Sequence, residues 1–247
     1  MSASPTERIV VCRMGRMDYE PAWDLQRRIQ NHLVADKRSA RPTRPDHVML
    51  LVEHPPVFTL GKSGDRANLL ATDDELSAEG ATFVPIDRGG DITYHGPGQL
   101  VGYPILDLDR YYTDIHRYLR DLEDVIIRTC ADFGLTAGRV EGRTGVWMTE
   151  PPGNERKLCA MGIRCSRWVT MHGFALNVNT NLAHFNMIVP CGITDRGVSS
   201  LAAELGHSIA MPDVEDAITR HFGAIFASDM RILEPGDANA YLAAYLG

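Results

Sequence analysis

Cys191 lies in Ile188-Val189-Pro190-Cys191-Gly192-Ile193, between a proline and a glycine, where a turn can present a thiol to one side. A thiol is nucleophilic only as the thiolate, so it needs a nearby cation or base to raise its thiolate fraction at neutral pH. Lys157 fits that need. It opens an apolar run, Lys157-Leu158-Cys159-Ala160-Met161-Gly162-Ile163, in a lysine-poor chain; the competing reading is a solvated strand end. Strict strand alternation puts Lys157, Cys159, Met161, Ile163 and Cys165 on one face, which makes Cys159 a rival to Cys191 as the thiol. The same alternation separates Cys159 from Cys165 by about 20 Å, too far for a disulfide. Both also read as small buried hydrophobes, and spacing alone leaves the choice of thiol open.

The second chemical feature is the stretch from Arg88 to Ile105, which holds five glycines and one carboxylate. Glycines in that density serve sharp turns or a close approach of backbone to a ligand. Between them stand Arg88, Thr93, Tyr94 and His95, donors and acceptors that expose little charge. A hairpin with a Gly-Pro-Gly turn and nothing bound is the alternative. His95 reads either as a group that orients a carbonyl or a thiol, or as a structural hydrogen-bond partner. Further on, His172-Gly173-Phe174-Ala175-Leu176-Asn177-Val178 is a strand with a glycine near its middle, and Gly162 lies in its expected partner. Two such gaps side by side would form a slot for an unbranched apolar chain, or merely ease packing.

Several motifs fail. Gly61-Lys62-Ser63 resembles the end of a phosphate-binding loop, but the required first glycine falls on Pro56. Gly96 to Gly102 misses the dinucleotide fingerprint by one residue and carries Pro97 inside the turn. The nine histidines show no HExxH or HxH spacing, and the five cysteines no CxxC, so no metal site and no disulfide framework is expected.

The elements that must position these groups follow from periodicity. Strands are expected over residues 8–13, 47–53, 82–86, 99–108, 145–149, 157–165 and 168–178, the last two joined by a tight hairpin at Ser166-Arg167. Helices are expected over 19–37, 114–133, 214–226 and 237–246, with Gly134 as a stop signal. Short strands mixed with a few long helices give an α/β (α+β) fold with a mixed β-sheet, in a single domain over residues 1–247.

The 247 residues are 44% hydrophobic with a net charge of −7, which disfavours non-specific contact with nucleic acid or anionic membrane. No apolar run is long enough to span a bilayer, and the first residues lack the parts of a signal peptide, so a cytoplasmic protein is expected. Residues 1–44 run against the overall charge, with nine Lys/Arg and five Asp/Glu, and form a candidate docking face for an acidic partner.

Five segments occur in one order: Glu53-His54-Pro55-Pro56-Val57-Phe58-Thr59-Leu60-Gly61, then Arg88 to Gln99, then Lys157 to Gly162, then His172 to Asn177, then Pro190-Cys191-Gly192-Ile193. Together they closely resemble the lipoyl(octanoyl) transferase family of protein lipoylation, over about Glu53 to Leu201. The resemblance implies transfer of an octanoyl group from acyl carrier protein to a specific lysine. The acceptors it implies are lipoyl domains of 2-oxoacid dehydrogenase complexes and the glycine cleavage H protein. It implies a fold like the catalytic domain of biotin and lipoate protein ligases, and no cofactor or metal. It carries the nucleophile onto Cys191 and the thiol-activating lysine onto Lys157. Acyl binding falls on Arg88, Gly89, Gly90, Asp91, Ile92, Thr93, Tyr94 and His95, on Ala160, Met161 and Gly162, and on Gly173, Phe174 and Ala175. The chain departs from the family at Cys159, where a small non-thiol residue is usual. Two other readings stand beside this one: an ATP-dependent ligase of the same fold, and a non-catalytic module that binds lipoyl domains or carrier proteins.

Overall fold

The run His47–Glu53 is apolar at nearly every position because it is a central strand covered on both faces. The structure, a computed structural model, describes residues 6–189 and 197–246. In chain order the elements are β1 (Glu7–Arg16), α1 (Tyr19–Lys37), β2 (His47–Glu53), β3 (Val57–Leu60), α2 (Asp73–Ala78), β4 (Thr82–Pro85), β5 (Ile92–His95), β6 (Gln99–Ile105) and α3 (Ile115–Asp132). There follow β7 (Ala137–Val140), β8 (Arg143–Met148), β9 (Arg156–Ser166), β10 (Val169–Asn177), β11 (Gly197–Val198), α4 (Leu201–Leu205), α5 (Met211–Ile225), β12 (Ser228–Leu233) and α6 (Pro235–Leu246).

The main sheet runs β12-β1-β2-β6-β10-β9-β8-β7, with β11 paired to β9. Its β12, β1 and β2 are parallel and the remaining neighbours on that path are antiparallel, which makes the expected α/β fold with a mixed sheet. Strand alternation feeds two cores. Ile9, Val11, Met49, Leu51, Leu100 and Leu176 pack under α3 and α5. Val10, Cys12, Val48, Leu50, Val52 and Ile105 pack under α1 and α6. Each fully buried Val, Leu or Ile contributes about 1.5–3 kcal/mol, so these two layers carry most of the stability. A second sheet, β4-β3-β5, holds the glycine-rich stretch beside them. Among the described residues no helix is long and apolar enough to cross a membrane.

Three details differ from the sequence expectation. The hairpin turn is Arg167-Trp168, both with positive φ, because Ser166 already pairs with Val169. The alternation argument fails at Lys157: β8 meets β9 as Val146 to Cys159 and then Trp147 to Lys157, so Leu158 is an extra residue in the ladder. Leu158 and Cys159 both enter the core under α3 and α5, while Lys157 turns to the side of Trp147 and away from Cys159. Finally, most of the basic groups before residue 45 are engaged internally. Arg13 meets Glu215 and Glu234, Lys37 meets Asp107 and Asp109, Arg44 meets Glu7, and Arg27 and Arg28 share Asp24. Arg27, Arg28 and Arg44 keep about half of their side-chain surface exposed in these pairs.

Gly162 and Gly173 face each other across β9 and β10, but the space beside each is filled. A Cβ on Gly173 would lie 2.3 Å from the Gly102 carbonyl oxygen, whereas one on Gly162 would meet only the Arg88 side chain, at 2.7 Å. Backbone cannot yield as a side chain can. Gly173→Ala is therefore expected to lose about 1–3 kcal/mol in urea unfolding, and Gly162→Ala clearly less; equal losses would contradict this packing.

Candidate active site

The glycine-rich loop is pinned from below. The amides of Gly61, Lys62 and Ser63 donate to the carbonyls of Asp91, Arg88 and Gly90 at 3.3, 3.0 and 3.3 Å. The segment that resembles a phosphate loop thus spends its N–H groups on neighbouring backbone. Arg88 folds back over the loop and donates to the Gly89 and Asp91 carbonyls at 2.7 and 2.8 Å. Gly89 N–H donates to Ile163 O at 3.2 Å, which docks the loop on the edge of β9. Asp91 closes it from inside, accepting from Asn68 Nδ2 at 2.6 Å and from Ile92 N–H at 2.7 Å.

Asp87, just before the loop, is the joint between layers. It accepts from Trp23 Nε1 of α1 at 3.1 Å and from His172 Nε2 of β10 at 2.9 Å, and it also holds Arg164 of β9. The His172 hydrogen bond, ahead of the opposing cost of burial, keeps the Asp87 carboxyl below the usual range. His172 has φ 58° inside a strand, an uncommon state for a non-glycine residue. Its own N–H leaves the ladder for Gln26 Oε1 of α1, at 2.9 Å.

Between this loop, β9, β10 and the start of α1 lies a cavity of about 480 Å³, within the ~300–1,000 Å³ range of small-molecule sites. Of the expected acyl-binding residues, Arg88, Gly89, Gly90, Ile92, Thr93, His95, Ala160, Met161, Gly162, Gly173, Phe174 and Ala175 line it, together with Lys157. Asp91 and Tyr94 do not. Asp91 shapes the loop, and Tyr94 is buried, stacked on His184 with centroids 4.8 Å apart. Among the described residues the wall has three cations, Arg88, Arg143 and Lys157, and no carboxylate. Such a wall suits an apolar chain that ends in a polarised carbonyl or in negative charge.

His95 sits at one end of a buried polar relay. Gln99 Nε2 donates to Tyr94 O at 3.1 Å and to Asn177 Oδ1 at 2.9 Å, so its Oε1 faces His95 and accepts from Nδ1–H at 2.8 Å. Asn177 Nδ2 in turn donates to Ser199 O at 3.0 Å. This assigns the proton of neutral His95 to Nδ1 and leaves Nε2 as an acceptor. Burial, more than the neighbouring His54, pushes the His95 pKa down to about 3, and Tyr19 stacks on the ring at 5.7 Å.

Lys157 Nζ lies 4.6 Å from the centre of the Trp147 ring. Its backbone pairs with Val198 of β11, and Ser199 N–H donates to Lys157 O at 3.0 Å. Cys159 is fully buried, is absent from the cavity wall, and burial drives its thiol pKa well above the ordinary value. Cys191 lies outside the described residues.

Some cavity groups lack a sequence signal of their own: Tyr19, Tyr103, Leu119 and Arg143 line the wall, beside Gln99, His172 and Asn177 from the motif segments. Asn177 and His172 were within reach of a reading that asked why polar groups interrupt an apolar strand. Trp147 and Asp87 act on lining residues from behind, through partners 10 to 85 residues away.

The family profile described as the lipoyl protein ligase A/B catalytic domain matches residues 18–223. An octanoyltransferase of Cytophaga hutchinsonii is 48% identical over 233 residues, covering 92% of this chain and 96% of that protein. One of Christiangramia forsetii is 50% identical over 232 residues, covering 91% of this chain and 98% of its own. Among solved structures, a bi-partite lipoate protein ligase from Thermoplasma acidophilum has a TM-score of 0.69 at 16% identity, covering 98% of this chain and 91% of that chain. At that identity the likeness is one of fold.

Three buried histidines set a pH dependence. His47, His54 and His95 have pKa values lowered by burial to about 3, 4 and 3, from 6.5. The unfolded chain binds protons at these sites below pH 6.5 while the folded chain does not, so their contribution is complete above that pH and is lost as pH falls towards 4. Unfolding free energy is expected to decline between pH 7 and 5.5, with a shallower slope in His95→Asn; an unchanged slope would contradict the neutral, buried His95.

Proposed function

The chain belongs to the lipoyl protein ligase A/B catalytic-domain family, within its octanoyltransferases, and on that premise we propose that residues 1–247 act as one catalytic unit with Cys191 as nucleophile. The donor is an octanoyl thioester of acyl carrier protein. The Cys191 thiolate attacks the thioester carbonyl, the carrier leaves as a thiolate that takes a proton from the Lys157 ammonium, and the octanoyl group is held on Cys191 as a new thioester. Thiol-for-thiol exchange is close to balanced in energy, so no nucleotide is needed. The acceptor amine, a lysine on a lipoyl domain or on the glycine cleavage H protein, then attacks the acyl-enzyme. An amide forms, Cys191 leaves as the thiolate while Lys157 takes the amine's proton, and the greater stability of the amide drives the step. The reaction takes place in the cytoplasm.

The observation that supports this reading is the position of Lys157. It stands in the cavity wall and its backbone is paired with Val198. Only five residues lie between Cys191 and Gly197 at the start of β11, which limits their separation to about 22 Å of extended chain. As an ammonium, Lys157 favours the neighbouring thiolate by charge; as a neutral amine it accepts the proton of the incoming lysine. Arg88 to His95 and the 160–162 and 173–175 segments hold the octanoyl chain. Cys159 takes no part in the exchange, since it is sealed in the core on the other side of the β9 bulge.

Incubation with octanoyl-carrier protein, without ATP or Mg²⁺, is expected to add one octanoyl group, mapped to Cys191 by peptide mass. Cys191→Ala should form no adduct, and Lys157→Ala should acylate about a hundredfold more slowly or worse with its fold intact. A label on Cys159, full activity in Cys191→Ala, or a requirement for ATP would overturn the assignment.

A further inference from the structure

Lys157 is held against a surface that distinguishes its two protonation states. Its stem crosses β8, where a Cβ on Gly145 would lie 3.7 Å from Lys157 Cε and 2.5 Å from Cys159 O. The ammonium then rests over Trp147, two residues along, at 4.6 Å from the ring centre. That stretch of β8 is rigidly placed. Glu123, fully buried on α3, accepts from Gly145 N–H at 2.9 Å and is itself clamped by Arg120 and Arg139 at 2.6 and 2.7 Å. Trp147 is 1% exposed, and its Nε1–H has no acceptor among the described residues, so the indole serves here as a face and not as a donor. The β9 bulge at Leu158 is what pairs Lys157 with Trp147 in the ladder.

We propose that Trp147 is a positioning residue for the acyl transfer: its ring face fixes Lys157 in the cavity wall and favours the ammonium over the neutral amine. The negative face of an aromatic ring attracts a cation much more strongly than a neutral amine. The ring therefore biases Lys157 towards the form that stabilises a thiolate, the form needed in the first step. In the first step the leaving carrier thiolate takes a proton from the Lys157 ammonium, against that bias. In the second the neutral amine regains one from the incoming lysine, with it, so the same contact sets how the two steps share their barriers. This inference rests on the assignment of Lys157 as the activator of Cys191.

The test is the pH dependence of Cys191 alkylation by iodoacetamide, read by peptide mass so that the other cysteines do not interfere. Trp147→Leu is expected to slow alkylation about threefold to tenfold at pH 7 and to move the midpoint of the profile upwards. Trp147→Phe, which keeps a ring face, should recover most of the rate. In a Lys157→Ala background Trp147→Leu should add nothing, since a residue acting through Lys157 has no separate route to the thiol. Should Trp147→Leu fail to fold, tetrafluorotryptophan placed at position 147 keeps the shape and removes the ring's negative face, and it should give the same shift. An unchanged profile with leucine or the fluorinated ring, or a leucine effect that persists without Lys157, would overturn the inference and leave the Lys157 assignment standing. A profile that is already unchanged in Lys157→Ala would overturn the assignment itself.

Discussion

One extra residue in β9 decides which side of the sheet the Lys157 ammonium reaches. With regular alternation Lys157 and Cys159 would share a face, and the lysine would lie over a sealed core. The bulge at Leu158 separates them: Cys159 goes to the layer under α3 and α5, and Lys157 goes to Trp147 and the cavity. A bulge re-aims a side chain without ending the strand. The loop from Arg88 to Asp91 docks on the same strand, at Ile163, only five residues beyond the bulge.

The cavity is a shaped space with three cations, Arg88, Arg143 and Lys157, at defined points of its wall. Two polar constructions keep it so. Asp87 gathers Trp23, Arg164 and His172 and joins the helix α1 to the sheet. The relay from His95 through Gln99 and Asn177 to Ser199 satisfies three buried side chains in sequence and ends on the residue whose N–H holds the Lys157 carbonyl. Buried polar groups cost free energy unless paired, so these chains fix geometry around the cavity while no carboxylate stands in its wall among the described residues.

Local pattern made much of this legible. The helix α1 matches its periodic segment from Tyr19 to Lys37, and the double apolar face of β2 shows in the consecutive apolar residues Val48 to Val52. The capping box Thr72 with Glu75 was a readable start for α2, though the short helix lacks a strong period. The strand β12 is mostly exposed at the sheet edge, so no buried alternation marks it. What local pattern does not contain is register. Neither the bulge at Leu158 nor the meeting of Asp87 with residues 64, 77 and 85 positions away can be read from spacing. The family resemblance carries the nucleophile onto Cys191, which lies outside the described residues, and Cys159 is fully buried.

The central claim is that the octanoyl group passes through the enzyme itself. The direct measurement is a chase: enzyme charged with radiolabelled octanoyl groups, freed of donor, is mixed with an apo lipoyl domain in the absence of ATP. The account predicts that the label moves to the domain's lysine as a hydroxylamine-stable amide, at a rate no slower than turnover with the full donor. Label that stays on the enzyme or is released as free octanoate, while the complete mixture still modifies the domain, would contradict it.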